Sequence, residues 1–371
     1  MLLQQVIKKG DCSPIMKSIR TIDTALVPQI KKRIEKTLGA YVLEIDRLYG
    51  LSSFSPVLCN SIRDFVLRDG KRIRPILFII GYSGFAKKAV PGLFTCALSF
   101  ELLHDFTLIH DDIIDKADMR RGKPSVHTIL NTYLHPYKKI KFNGQDLALV
   151  IGDILYAIAI QAFLAIRENT RRKEQALKKF IETAIYTGAG EFGELLYGIE
   201  DIEKITKQGI YRIYDFKTAY YSFAAPLITG ATLAGARIEE VNRLSQYGVY
   251  LGRAFQIKDD IAGMFGDEAA IGKSILTDLQ EGKKTILVWY AYRHATERDR
   301  RIIKRILARQ RIRTADLLTM RRIVTASRAL AFAEKEISSL LHNARRITEE
   351  LSMKHNFKTA LNTYSSLLLQ G

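Results

Sequence analysis

An all-α fold is what this sequence predicts, and three observations predict it. Apolar residues recur at helical spacing along nearly the whole chain. Alternating apolar and polar runs bounded by turn signals are missing. Several helical stretches are apolar on more than one face, which places them in the central layer of a large bundle. Ten or more helices are expected. The chain has 371 residues, more than one hydrophobic core usually holds. Only eight prolines occur, and no stretch is rich in Pro, Gly or Ser. With no linker visible, residues 1–371 are read as a single domain.

In chain order, residues 1–40 are helical in pattern but carry no motif. The opening "MLLQQVIKKG" has too short an apolar run for a signal peptide, and its basic residues follow that run. The cysteines Cys12, Cys59 and Cys96 are scattered, without Cys-x-x-Cys spacing. That argues against a disulfide framework or structural zinc and fits a reducing cytoplasm. "DGKRIRP" at 69–75 places Lys71, Arg72 and Arg74 before Pro75, which favours an extended or capped approach.

"PGLFTCALSFELLHDFTLIHDD" has apolar residues at 93, 94, 97, 98, 102, 103, 106 and 109. This helix is buried up to its acids. The acids belong to "LIHDDIIDKADMRRG" at 108–122, where Asp111 and Asp115 stand four apart and share a helical face. Their repulsion costs helix stability, and a cation is the natural remedy. Ligation by carboxylates alone suits a hard divalent ion such as Mg2+, which keeps some waters and bridges to substrate phosphates. Arg120 and Arg121 follow directly.

"LALVIGDILYAIAIQAFLAI" at 147–166 is interrupted by Asp153 and Gln161, so it reads as a buried helix rather than a membrane span. "DFKTAYYSFAAP" supplies Lys217 and Thr218. "EEVNRLSQYGVYLGRAFQIKDDIAGMFGD" is again helical, with apolar positions at 241, 244, 247, 251, 254, 255 and 257, and ends in Asp259 and Asp260. Its fifth motif position is Gly263, and Asp267 comes four residues later. "IGKSILTDLQEGKKT" brings Lys273 and Lys283, each after a glycine. "RDRRIIKRILARQRIR" at 298–313 is spaced like a solvated amphipathic helix, and "FAEKEISSLLHNARRITEEL" is amphipathic too.

A helix ending in Asp-Asp thus occurs twice, about 150 residues apart. That suggests two similar halves facing a common cavity, with a metal cluster between them. The net charge of +18 suits nucleic acid, an anionic membrane or phosphorylated substrates. The basic residues are dispersed and no basic-aromatic recognition motif occurs, so nucleic acid is not expected. Arginine forks and lysine point charges suit phosphate. No Walker-type loop and no glycine-rich dinucleotide fingerprint is present.

The ordered motifs "GKRIRP", "LLHDFTLIHDDIIDKADMRRGKPSVH", "GDILY", "KTA", "GRAFQIKDDIAGMFGD" and "GKSILTDLQEGKKT" cover roughly residues 65–290. In them the chain resembles the trans-isoprenyl (polyprenyl) diphosphate synthases, the short-chain geranylgeranyl and farnesyl types in particular. The resemblance implies an isoprenoid-synthase-type helical bundle around a central cavity, usually a homodimer. It implies a prenyltransferase that joins isopentenyl diphosphate head-to-tail to dimethylallyl, geranyl or farnesyl diphosphate, with up to three Mg2+ ions per active site. Matched residue by residue, Asp111 and Asp115 are the principal metal ligands of the first motif, with Asp112 supporting. Asp259 leads the second, with Asp260 beside it. Lys71, Arg74, His104 and Arg121 match the groups that hold isopentenyl diphosphate. Arg120, Lys217, Lys273 and Lys283 match those around the allylic diphosphate, and Thr218 and Gln256 match polar groups near the developing cation. His110 and His127 are left as structural, and Asp118 gains no role.

Gly263 departs from the many family members that carry an aspartate there, which points to weaker or differently shared metal ligation. Product length is expected to depend on Phe106, five residues before Asp111 and about 7.5 Å up the helix axis at ~1.5 Å per residue. An aromatic there, without an insertion in the motif, resembles short-chain archaeal-type synthases and implies a C20 product, with C15 and C25 the nearest alternatives. A terpene cyclase on the same fold would need no isopentenyl site. A non-catalytic regulatory subunit would have lost acids or phosphate-binding cations, and this chain keeps both. Weak peripheral membrane contact is compatible with a greasy product.

Overall fold

The computed structural model describes residues 26–266 and 275–370. Its first helices are α1 (Leu26–Tyr49), α2 (Leu51–Phe54), α3 (Pro56–Val66), α4 (Ile73–Phe85) and α5 (Leu93–Ile114). A short hairpin comes next, β1 (Met119–Arg120) paired antiparallel with β2 (Lys123–Pro124). It leads to α6 (Val126–Leu134), α7 (Gly144–Leu164), α8 (Thr170–Ile199) and α9 (Lys207–Tyr214). The last runs straight into a π-helical segment, Asp215–Ala224, and then α10 (Ala225–Ala234) and α11 (Ile238–Phe265). The C-terminal part is α12 (Thr277–Gln280), α13 (Ile286–His294), α14 (Glu297–Leu307), α15 (Thr314–Ala326), α16 (Ala329–Glu350) and α17 (His355–Gln370). Beyond the hairpin, no strand occurs among the described residues, so the all-α expectation holds.

The helices that are apolar all round lie at the centre. In α4 every residue from Pro75 to Tyr82 is buried. α5 buries Leu98, Phe100, Leu102 and Leu103 on successive faces. Around them α1, α7, α8 and α10 close one apolar cluster. A second cluster, built from α9, α13, α14, α15 and α16, packs on the C-terminal half of α11. α11 contributes Leu244, Tyr247 and Leu251 to the first cluster and Ala254 and Ile257 to the second. Its acidic end is thereby held from both sides.

α7 starts where its cap dictates. Asn143 accepts from the Asp146 amide at 3.0 Å, and the Asp146 carboxylate accepts from the Asn143 amide at 2.8 Å. This helix is long and apolar enough to cross a membrane by length and composition alone. Its inner face, Ile151, Leu155, Ile158 and Ala162, is nevertheless buried in the bundle core. Leu149, Val150 and Leu164 remain exposed on the outside. In α14, Ile303 and Ile306 are buried while Arg298, Arg301 and Arg305 are exposed, as a solvated amphipathic helix requires.

α4 and α10 cross so closely that no side chain fits between them. An added Cβ at Gly81 would overlap the Leu227 carbonyl oxygen, which is backbone and has no rotamer by which to yield. Gly81→Ala should therefore lower unfolding stability by about 1–3 kcal/mol, the usual cost of overpacking. Urea unfolding measures it, and an unchanged midpoint would show that the two helices separate freely.

Candidate active site

The two acidic helix ends meet at a junction of two chambers. The polar one, about 200 Å3, is lined by Asp111, Asp115, Arg120, Glu194, Lys217, Asp259, Asp260, Asp278 and Lys283. The apolar one, about 580 Å3, is lined among others by Phe106, Ile114, Tyr156, Phe192, Leu195 and Phe255. Asp111, Lys217, Gln256 and Asp259 belong to both walls. A site of this shape fits an amphiphile with a charged head and a greasy tail.

Where the chambers meet, Asp111 and Asp115 of α5 converge with Glu191 of α8, which lines the apolar chamber. One carboxylate oxygen from each lies within 4.8 Å of the others. Burial, then the charges of Asp111 and Glu281, push Asp115 up to about 7. Burial raises Glu191 too. Carboxylates held this close against their own repulsion fit a hard divalent cation. Glu191 is a residue that sequence reasoning missed, as is its neighbour Glu194.

Lys217 is the cationic centre of the chamber. It pairs with Glu191 at 2.6 Å, with Glu194, and with Asp111 at 3.7 Å. Burial works against its charge, but Glu194 and Asp111 hold its ammonium above the usual lysine range. Lys283 approaches Glu281 at 2.6 Å, Asp278 at 3.6 Å and Glu194 at 3.8 Å, and is raised likewise against burial. Lys217 and Thr218 sit in the π segment, whose wider turn is a frequent device at functional sites. α8 can lie against this segment because position 190 is glycine, where a Cβ would press on the Lys217 backbone. Arg253 of α11 clamps the segment's first residue, Asp215, with two bonds of 2.6 Å. Thr218 donates to Gln256 at 2.7 Å, and Gln256 donates to Asp260 at 3.0 Å.

Two further acids of the metal set, Asp112 and Asp260, have protein partners on their oxygens. Asp112 is one residue on from Asp111, so the helix turns it about 100° away. It is buried, accepts from Arg120 at 2.6 Å, and is pushed up to about 6 by burial. It lines neither chamber. Asp260 is buried with Tyr214 and Gln256 on its oxygens, and burial pushes it up to about 8. Arg120 reaches Asp111 as well, at 3.3 Å. Above Gly263 stands the carboxylate of Asp278, where any side chain at 263 would overlap it. An acid from α12 thus occupies the region that the second motif leaves empty.

Of the remaining cationic residues, Arg74 and His104 line the apolar chamber. Arg74 donates to Ser222 at 2.7 Å and lies 4.3 Å over the Tyr221 ring. His104 shares a 2.8 Å hydrogen bond with Tyr221 and is kept well below its usual pKa by burial and by Arg74 and Arg121. Lys71 is exposed, 5.8 Å from the Phe255 ring centroid. Arg121 sits in the two-residue hairpin turn with Gly122, at φ 54° and 72°. Lys273 and Asp267 lie outside the described residues. His110 packs edge-on against Phe106 at 4.6 Å, and Tyr156 meets Phe106 at 5.3 Å.

Residues 55–324 match the polyprenyl synthetase family model. The geranylgeranyl diphosphate synthase of Sulfolobus acidocaldarius is 32% identical over 81% of this chain and 87% of that protein. The short chain isoprenyl diphosphate synthase of Methanocaldococcus jannaschii is 30% identical over 78% of this chain and 79% of that protein. Among solved structures, a geranylgeranyl pyrophosphate synthase from Corynebacterium glutamicum superposes with a TM-score of 0.83 at 24% identity, covering 92% of this chain and 98% of the other. With the family matched over most of its length and the paired acidic helices facing one cavity, the chain belongs to the polyprenyl synthetase family and is a trans-prenyl diphosphate synthase, a prenyltransferase.

Proposed function

We propose that the chain, acting as one domain, condenses isopentenyl diphosphate with allylic diphosphates and releases geranylgeranyl diphosphate, C20, as its main product. The observation that carries this reading is the junction of a charged chamber with a long apolar one at Asp111, Lys217, Gln256 and Asp259. The Sulfolobus acidocaldarius relative, a geranylgeranyl synthase, supports the C20 reading, and a geranylfarnesyl diphosphate synthase from Aeropyrum pernix is 33% identical over 75% of the chain.

Asp111, Asp115 and Glu191 on one side and Asp259 on the other would hold Mg2+, with Asp278 standing in near Gly263. When bound, the metal neutralises charge on the departing diphosphate. Lys217, Lys283 and Arg120 add fixed positive charge at the same end, already ordered by their acid partners. Arg74, His104, Arg121 and Lys71 would hold the isopentenyl diphosphate. As the allylic carbon–oxygen bond breaks, the Thr218–Gln256 pair offers oriented dipoles to the cation, while Phe255 keeps water from it. The isopentenyl double bond then attacks, forming the new carbon–carbon bond, and the resulting cation gives up a proton to the released diphosphate to restore an alkene.

The reading extends to assembly as a homodimer. Ile185, Phe192 and Ile199 of α8 are 64%, 66% and 83% exposed, and Leu149, Val150 and Leu164 are exposed on α7. An apolar face of this extent marks an association surface. Phe192 and Leu195 also line the apolar chamber, so a second copy would help to close it.

Incubation with isopentenyl diphosphate, Mg2+ and each allylic starter, with chromatography of the dephosphorylated products, tests the reaction; no elongation from any starter would refute it. Asp111→Ala should lower turnover by about 100-fold or more, the weight of a few kcal/mol of lost charge stabilisation. Near-normal rates would break the metal assignment. Phe106→Ala should shift products beyond C20, and an unchanged distribution removes Phe106 as the chamber floor. Ile185→Glu/Phe192→Glu should sediment as a monomer where the parent chain sediments as a dimer; identical profiles would refute that interface.

A further inference from the structure

Two buried acids of α5 have no place in the condensation chemistry. Glu101 and Asp105 stand four apart on one helical face, 1% and 0% exposed. Glu101 Oε1 accepts from Arg72 at 2.7 Å. Its Oε2, and both oxygens of Asp105, are buried without a hydrogen-bond partner. Buried carboxylates left so are rare. Burial, then the charge of Glu101, holds Asp105 well above the usual carboxylate range.

The group they face is Arg121. Its Nη2 lies 3.7 Å from Glu101 Oε1 and its Nη1 lies 3.7 Å from Asp105 Oδ1. That Nη1 is itself buried without a hydrogen-bond partner. Two carboxylates and a guanidinium therefore confront one another just beyond bonding distance. The backbone is arranged for the meeting. Arg121 adopts the left-handed region at φ 54°, uncommon for a residue with a side chain.

We infer that Glu101 and Asp105 are positioning residues for Arg121, gripping one edge of its guanidinium so that the other edge is presented to the isopentenyl diphosphate. This rests on the reading of Arg121 as a cation for that substrate. A guanidinium has five donors in a rigid fork, so fixing one edge orients the rest. A shift of under ~1 Å by Arg121 brings its two Nη atoms to the distances of charge-assisted hydrogen bonds with Glu101 and Asp105.

Steady-state kinetics and calorimetric titration with isopentenyl diphosphate test the role in Asp105→Asn and Glu101→Gln. For Asp105→Asn, KM and Kd for isopentenyl diphosphate should rise about 10-fold, with kcat and the allylic KM within about 2-fold, the pattern of lost ground-state binding. Its unfolding midpoint should not fall, because neither Asp105 oxygen has a hydrogen-bond partner to lose; a lower midpoint with unchanged KM would make the pair merely structural and overturn the inference. Glu101→Gln should show the same selective KM effect, which keeps the test open if one variant folds poorly. In the Arg121→Ala background, Asp105→Asn should add nothing, and an undiminished additional effect would overturn it as well. A normal Arg121→Ala effect with a silent Asp105→Asn sinks the positioning role alone. An Arg121→Ala chain with unaltered isopentenyl affinity sinks the substrate assignment beneath it.

Discussion

Mutual repulsion among carboxylates governs this structure. Asp111, Asp115 and Glu191 are brought within reach of one another by two helices whose apolar faces are already committed to the core. The helices cannot part without exposing that core, so the charge has to be balanced in place. Lys217 and Lys283 are set among the acids for that purpose, and Arg120 ties Asp111 to Asp112. The same arrangement leaves a cluster of oxygens that a divalent cation fits. Stability and chemistry therefore draw on one set of charges.

Most of the fold was legible because burial writes itself into spacing. α5 and α11 carry their apolar positions at helical period up to the acids; α5 ends at Ile114 beside its acids, whereas α11 runs on to Phe265, past Asp259 and Asp260. Site residues carried by short motifs were legible for the same reason: consecutive residues on a helix have fixed relations. Glu191 and Glu194 were not. They are isolated acids on a 30-residue helix with no neighbouring signal, and only the approach of α8 to the π segment gives them meaning. Asp278 was missed likewise, since its position over Gly263 is a tertiary fact. Asp112 faces Arg120 and lines neither chamber, as its position one residue on from Asp111 requires.

Cations here fall into two kinds, and burial separates them. Arg72 is buried and committed to Glu35 and Glu101 at 2.8 and 2.7 Å, so it serves the framework. Arg74 and Lys283 stay partly accessible while held by partners on one side. In "GKRIRP" alone, nothing distinguishes Arg72 from Arg74. The distinction comes from the start of α4: Arg72 precedes it in the left-handed region, at φ 50°, and turns into the core, while Arg74 in its first turn lines the apolar chamber.

The π segment carries a consequence for how this site can change over generations. A π turn is an α-helix holding one extra residue, so its register depends on the count of residues rather than on their identity. Deleting a single residue between 215 and 224 would restore an ordinary helix and leave the apolar packing of α10 within reach. It would also rotate the N-terminal part of the segment by about 100° relative to α10. Lys217 and Thr218 would swing out of the chamber together. One codon lost there separates the scaffold from its catalysis, whereas substitutions would have to remove the two functions residue by residue.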